Sequence, residues 1–423
     1  MFDKTEVQSP SVREASLFEN FSERLQIAVA KCHGLAAHLD GCSLDNIYDR
    51  EALQTLPVLR KSAVMAAQQT NPPFGGFVRE QALQGSRIFM SPGPVWEPQL
   101  TISDPWQGAR ALFAAGIRAG DKIHNAFSYH LTPGGFILDE ASRALGCVVF
   151  PAGIGNTEAQ VSALRHTQAS VYVGTPDYLQ VLLDHAITEN QPLTSIKRAL
   201  VSGGALFPAM RAKYREQGID VLQCYATADL GVIAYESTTG GDVNPGMVVN
   251  EGLIVEILVP GTGIPVEAGQ VGEIVVTRLN PDFPLLRFAT GDLSRQLTGL
   301  SPCGRTNSRL AGWMGRADQR VKVRGMFVDP MQLGKLGEQH AHIDRWRLIV
   351  SRKADRDIMQ LNLSLKESAT GSALPSHEGH DQWIESVVSS LKQATGLSGE
   401  VTVVPALPDD GIVVDDQRIY DDH

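Results

Sequence analysis

The 423-residue chain has no uninterrupted apolar run of about 18 residues, the length that a bilayer-spanning helix requires. A membrane partner is therefore not expected. It also lacks a concentrated basic face, since 37 Lys and Arg stand against 47 Asp and Glu for a formal charge of −10. Nucleic-acid binding needs clustered cations that displace counterions, so a nucleic-acid partner is not expected either. Cysteine is sparse: Cys32, Cys42, Cys147, Cys224 and Cys303 form an odd set with no CxxC pair, which argues against a disulfide framework and for a reducing compartment. The first residues, "MFDKTEVQSPSVREAS", hold no apolar leader core. The expectation is a cytoplasmic protein with a small ligand.

Metal-type residues crowd in one place, at Cys32, His33, His38 and Cys42. Residues 20–40 are predicted as one amphipathic helix on Leu25, Val29, Leu35 and Ala36, and on it the adjacent Cys32 and His33 would point apart. Metal ligands must converge, so a helix without zinc is the reading.

What the chain does have is an ordinary globular balance, 43% apolar and 20% charged, over a length that suggests two or three units. From Pro105 to Asp229 short apolar runs ("KIHNAFSY", "CVVFPAG", "ASVYVGTP", "RALVSGG", "DVLQCYA") alternate with helical stretches such as "PGGFILDEASRALG" and "PDYLQVLLDHAI". This rhythm predicts βαβ units and a mostly parallel sheet, whose ligands sit beyond the carboxyl ends of the strands. After Gly240, "GLIVEILVPGTGIPVEAGQVGEIVVTRLN" reads as a β-rich subdomain. From about Asp318, the strands "WRLIVSR", "IMQLNLSL" and "EVTVVP" and the helix "DQWIESVVSSLKQATG" read as a small α+β domain. The fold class is therefore α/β: a large N-terminal domain, residues 1–317, of mostly parallel sheets with flanking helices plus a β-rich subdomain, and a small α+β C-terminal domain, residues 318–423.

Three stretches then carry a likeness: "VSGGAL" with "QCYATADLG"; "GEIVVTRLNPDFPLLRFATGDLSR"; and "CGRTNSRLAGWMGRADQRVKVRGMFVDP". In this order, and with the earlier "LPVLRKSAVMAAQQTNPPFGGF", the chain resembles the phenylacetate–CoA ligase branch of the adenylate-forming superfamily. The resemblance implies ATP and AMP, Mg2+ and coenzyme A as cofactors, with a small, aromatic carboxylic acid as the other partner. It implies that the acid is adenylated and then passed to coenzyme A; a homodimer is compatible with it. By the same resemblance Asp292 would hold the ribose hydroxyls, while Ser202, Gly203, Gly204 and Tyr225 would flank the adenine. Asp229 would be catalytic and hold magnesium, and Arg316 would contact ribose or phosphate. Asp318 would be the hinge of the small domain, with Lys322 and Arg324 on the face presented for thioester formation. The acyl pocket is expected around Tyr129, His130, Gly134, Gly135, Thr175 and Tyr178, since aromatic walls with few polar groups suit a flat acid.

Two features depart from the family pattern. At the phosphate-loop position stands "MSPGPVWEP", with Ser91 and Gly93 left as phosphate contacts, three prolines without N–H donors, no lysine, and Glu97 expected to add negative charge. At the C-terminus no lysine follows Lys392, six aspartates lie between Asp409 and Asp422, and Ile412 or a neighbour stands where the resemblance places the adenylation lysine. These losses make a catalytically impaired nucleotide or coenzyme A binder the alternative to the ligase. Cys303 survives from a zinc set of some relatives, with Ser237 and Val248 at the partner positions, so no structural zinc is expected. A Ser–His hydrolase on Ser91 or Ser202 has no GxSxG elbow to support it.

Overall fold

A computed structural model describes residues 1–91, 94–204, 206–317, 321–324, 326–328, 330–353, 356–366, 377–408 and 412–417. The chain divides into two compact units, one of Met1–Thr290 with Ser294–Trp313 and one of Gly291–Leu293 with Met314–His423.

In the first unit the alternating segment forms the sheet that its rhythm predicts. Five strands run parallel in the order Asp220–Thr227, Arg198–Val201, Val171–Gly174, Lys122–Asn125, Val148–Pro151. Gly231–Tyr235, Met247–Val249, Arg309–Leu310 and Gln296–Leu297 continue this nine-stranded sheet antiparallel. Strands Val171–Gly174 and Arg198–Val201 are buried almost throughout, which is why they read as continuous apolar runs and not as alternation. Helices Gly134–Ala144, Thr157–Thr167 and Pro176–Thr188 cover the sheet. The crossover from Lys122–Asn125 leads outward to Val148–Pro151, while that from its other neighbour Val171–Gly174 leads the opposite way to Arg198–Val201. Such a reversal opens a crevice at the carboxyl ends of the strands, where residues 126–135 and 175–178 lie.

The β-rich subdomain is a four-stranded sheet, Leu59–Arg60, Leu285–Ser294, Gly272–Arg278, Ile254–Leu258. The segment 20–40 differs from expectation: it is two helices, Phe21–Lys31 and His33–His38, broken at Cys32 with ψ 92°. The break has a tertiary cause. Gly34 packs so closely on the Gly75–Phe77 backbone that its N–H donates to Gly76 O at 2.9 Å and any Cβ would collide. His33 meets Asn71 at 2.8 Å.

The second unit carries a sheet in the order Glu400–Val403, Arg356–Leu365, Ile343–Lys353, Val414–Asp416. Helices Pro330–Gln339 and His377–Thr395 contribute Leu333, Leu336, Val387 and Leu391 to its own core with Leu348, Leu361 and Leu363. Among the described residues no helix is long and apolar enough to cross a membrane.

Candidate functional site

The stretch expected to be a stiff loop is a β-hairpin, Ile88–Ser91 paired with Val95–Pro98, in the register Phe89↔Glu97, Met90↔Trp96, Ser91↔Val95. Strand alternation puts Phe89, Ser91, Val95 and Glu97 on one face and Met90 and Trp96 on the other. The first face turns inward. Ser91 is buried and its hydroxyl donates to Glu97 Oε1 at 2.9 Å. Gly93 lies outside the described residues. Glu97 is only 2% exposed, so the residue expected to add negative charge is held away from solvent. Burial, then the neighbouring Asp229 charge, raises its carboxyl far above the ordinary carboxylate range, which favours the neutral acid.

Asp229 follows the strand Asp220–Thr227 and is 5% exposed. Its Oδ2 pairs with Lys61 Nζ at 3.2 Å, and Lys61 opens the helix Lys61–Thr70 with its side chain one-third exposed. Beneath them Arg278, fully buried, donates to the backbone oxygens of Asp229 at 3.2 Å and Leu230 at 3.1 Å. Burial pulls the Arg278 guanidinium down to about 10, against the opposing pull of Asp229 and Glu97. Lys61 and Arg278 thus set two cations around Asp229. Sequence reasoning missed both cations. Lys61 sits inside the quoted "LPVLRK", yet its partner is 168 residues away.

The neighbouring strand ends hold the expected adenine residues. Ser202 donates to Cys224 O at 2.8 Å and so ties two strands rather than presenting its hydroxyl. Gly203 has φ +69°, a conformation that glycine adopts without strain, and Gln223 donates to Gly204 O at 3.1 Å. Tyr225 is half-buried against the core.

At the crevice, Tyr129 donates its hydroxyl to Asp139 Oδ2 at 2.8 Å and receives Asn125 Nδ2 at 2.8 Å, so its polar end is satisfied and its ring is the available surface. A Cβ on Gly135 would meet that ring at 2.8 Å, which explains a glycine there. A Cβ on Gly134 would meet nothing closer than Ser128 O at 3.7 Å. His130 is exposed. Thr175 accepts Tyr172's hydroxyl on its carbonyl at 3.0 Å, and Tyr178 donates to Gly155 O at 3.0 Å, so these two residues shape the loops around the crevice.

Within the second unit, Asp292 Oδ1 pairs with Arg316 at 3.3 Å, and the two residues also form a backbone bridge. Gly291 has φ +76°, and a Cβ there would meet the Arg316 guanidinium at 2.7 Å. The glycine of "TGD" is thus where the arginine crosses. Asp318 lies outside the described residues. Lys322 occupies the strand Val321–Val323, opposite Phe327. Arg324 is a staple: its guanidinium donates to Asp357 O at 2.7 and 2.9 Å and to Ser398 O at 3.4 Å.

Ser237, sought as a zinc partner of Cys303, does contact it, at 3.3 Å. Ser301 at 3.1 Å and Arg305 at 3.3 Å complete a hydrogen-bonded set. Ser237, Ser301 and Arg305 are not metal-type side chains.

The AMP-binding enzyme family matches residues 141–280. The phenylacetate-coenzyme A ligase of Escherichia coli (strain K12) is 29% identical over 384 residues, 86% of this chain and 84% of that one. The phenylacetate-coenzyme A ligase of Pseudomonas putida is 30% identical over 306 residues, 69% and 67% of the two chains. In fold, 2-hydroxyisobutyryl-CoA ligase in its postadenylation state superposes with a TM-score of 0.79 at 21% identity, covering 98% of this chain and 91% of that one. With the motifs in order and this similarity along most of its length, the chain belongs to the phenylacetate–CoA ligase family of AMP-binding enzymes.

Proposed function

We propose that the protein is an AMP-forming carboxylate–CoA ligase acting on a small aromatic acid. The observation that carries this reading is the likeness to phenylacetate-coenzyme A ligases over more than four-fifths of both chains. In the first half-reaction the acid's carboxylate oxygen attacks the α-phosphorus of ATP and pyrophosphate leaves. In the second, the coenzyme A thiol attacks the acyl carbon, loses its proton, and AMP leaves with the bonding electrons.

Roles divide between the units. In the first, the Gly203–Gly204 backbone and the Tyr225 ring serve the adenine, and the Tyr129 ring forms a wall for the acid. Lys61 and Arg278 supply positive charge around Asp229, as charge developing on phosphate requires. In the second, Asp292 offers two fixed acceptors to a vicinal diol, oriented by Arg316. Lys322 serves the thioester step, and Asp318 the hinge. Asp229 fits magnesium, because it is a buried carboxylate already matched to a cation, and Mg2+ is usually held by one or two carboxylates plus phosphate oxygens. When bound, the ion neutralises phosphate charge. The impaired-binder reading is not favoured, since Lys61 furnishes a cation beside Asp229 and burial disfavours a charge on Glu97.

The test supplies ATP, coenzyme A and a panel of aryl acids and measures AMP and thioester together. Equimolar AMP and acyl-CoA are expected with at least one aryl acid. Nucleotide binding without pyrophosphate exchange or thioester for any acid would overturn the reading.

A further inference from the structure

The Tyr129 side chain at the crevice is gripped at its hydroxyl and along its ring. The hydroxyl donates to Asp139 Oδ2 at 2.8 Å and accepts Asn125 Nδ2 at 2.8 Å; Asn125 is fully buried and also donates from Nδ2 to Gly135 O at 2.8 Å. The ring packs on Gly135, where no side chain intervenes, and meets the Phe136 ring edge-on at 5.1 Å and 77°. Phe136 in turn packs on Phe89 of the hairpin at 5.2 Å. Asp139 is half-buried on the helix Gly134–Ala144 and joins no ion pair among the described residues, so the Tyr129 hydroxyl is its donor. A hydrogen bond to a carboxylate is roughly twice as strong as one between neutral groups, which makes this the firmest of the grips. The loop that carries Tyr129 does not depend on it. Gly135 N–H donates to Ser128 O at 2.7 Å, and Met90 N–H of the hairpin donates to Leu131 O at 2.8 Å, so the backbone on either side of Tyr129 is tied down separately. Loss of Asp139 would leave the loop in place but strand the hydroxyl proton, and the ring would follow that proton towards water in the crevice.

We propose that Asp139 is a positioning residue of the acid pocket: together with Asn125 it pins the Tyr129 hydroxyl, fixes the ring as a rigid wall, and so sets the preference among aryl acids. The inference rests on the ligase reading for the acid that occupies the crevice, and deepens it. Aromatic pairs favour offset or edge-to-face geometries, and a ring that Phe136 and Asp139 hold in one orientation offers an incoming aryl group one such geometry only. The ordering of that side chain is settled before the acid arrives, so the acid that fits does not bear its cost. A ring set free would meet several acids in several orientations, each less tightly, and discrimination would fall with affinity.

The experiment measures binding of benzoate, phenylacetate and 2-naphthylacetate to the full chain by isothermal titration calorimetry with AMP present, beside thioester formation from the same acids. The wild type is expected to bind at least one of them and to differ clearly among the three. Asp139→Ala should weaken the best acid by roughly tenfold, the scale of one hydrogen bond to a charged group, and narrow the spread while AMP affinity stays unchanged. Asp139→Asn, which keeps an acceptor for the hydroxyl, should recover most of the loss. Tyr129→Phe keeps the ring without the pinned hydroxyl and should match Asp139→Ala, and the two combined should cost no more than either alone, an outcome that a purely structural role would not produce. Circular dichroism confirms that each variant is folded. Wild-type affinity and spread in folded Asp139→Ala would overturn the proposal, as would equal losses of acid and AMP, losses in the two single variants that simply add, or a wild type that binds no acid of the panel. Because binding is read without turnover, acid held through this clamp with no thioester made would sink the ligase reading and leave the inference standing. Thioester formation in which Asp139→Ala discriminates as the wild type does would do the reverse.

Discussion

Cys303 lies under the hydroxyls of Ser237 and Ser301 and the guanidinium of Arg305. Burial opposes its ionisation, but those hydrogen bonds outweigh it and draw the thiol down to about 7. Burial instead pushes Cys32 and Cys147 up to about 11 and Cys224 to about 12. Alkylation needs the thiolate, so iodoacetamide labelling at Cys303 should rise through pH 7, about two units below an ordinary buried-free thiol at 9, while those three stay slow. Peptide mapping of label against pH checks this, and a Cys303 profile that rises only near pH 9 would refute it. Replacing Arg305 by Leu should move the rise upward. At this scale the sequence offers only what lies inside a contiguous motif, such as the Asp292 of "TGDL" and the glycines of "VSGG". It could not show Lys61 or Arg278, because an ion pair across 168 residues has no local signature. Nor could it show the raised carboxyl of Glu97, which depends on burial that only the folded hairpin creates.

The 88–98 hairpin depends on one side chain outside it. Gln68 is 6% exposed; its Nε2 donates to Trp96 O at 2.8 Å, and its Oε1 accepts Trp96 N–H at 2.9 Å. A single amide thus completes the outer edge of Val95–Pro98 as a neighbouring strand would, and leaves it closed to foreign strands. Gln68→Ala strands both backbone groups and should destabilise the protein by about 1–3 kcal/mol, with faster amide exchange at Trp96. Urea denaturation and hydrogen exchange measure both, and an unchanged midpoint with unchanged exchange would show that the clamp contributes nothing. Prolines hid this element from the sequence reading. Pro94 lies just before the strand Val95–Pro98 begins and Pro98 ends it, positions where a missing N–H is tolerated, so these prolines permit a short two-stranded ribbon. The parallel sheet was legible for the opposite reason: its strands are buried on both faces and announce themselves as apolar runs. The helix break at Cys32 was not, because it arises from close packing of Gly34 on a segment some forty residues away.

Taken whole, the chain carries a formal charge of −10, while the proposed substrates, ATP, a carboxylate and coenzyme A, are all anions. The global field therefore opposes encounter, and the positive centre of Lys61 and Arg278 acts only at short range. Arg278 is buried and Lys61 is already paired with Asp229, so neither projects far into solvent. At 0.1 M salt the Debye length is about 10 Å, short enough to screen the distant surface acids while contacts inside the site persist. Raising ionic strength from low salt to about 0.15 M should therefore leave kcat/KM for ATP unchanged or raise it by roughly twofold, opposite in sign to an enzyme that steers its nucleotide with a basic surface. The same titration with Lys61→Met should lower kcat/KM at every salt concentration without changing the slope, because Lys61 acts on bound phosphate and not on approach. A tenfold fall in wild-type kcat/KM across that range would mean that a local basic field dominates the −10 background, and the assignment of positive charge to Lys61 and Arg278 alone would be wrong.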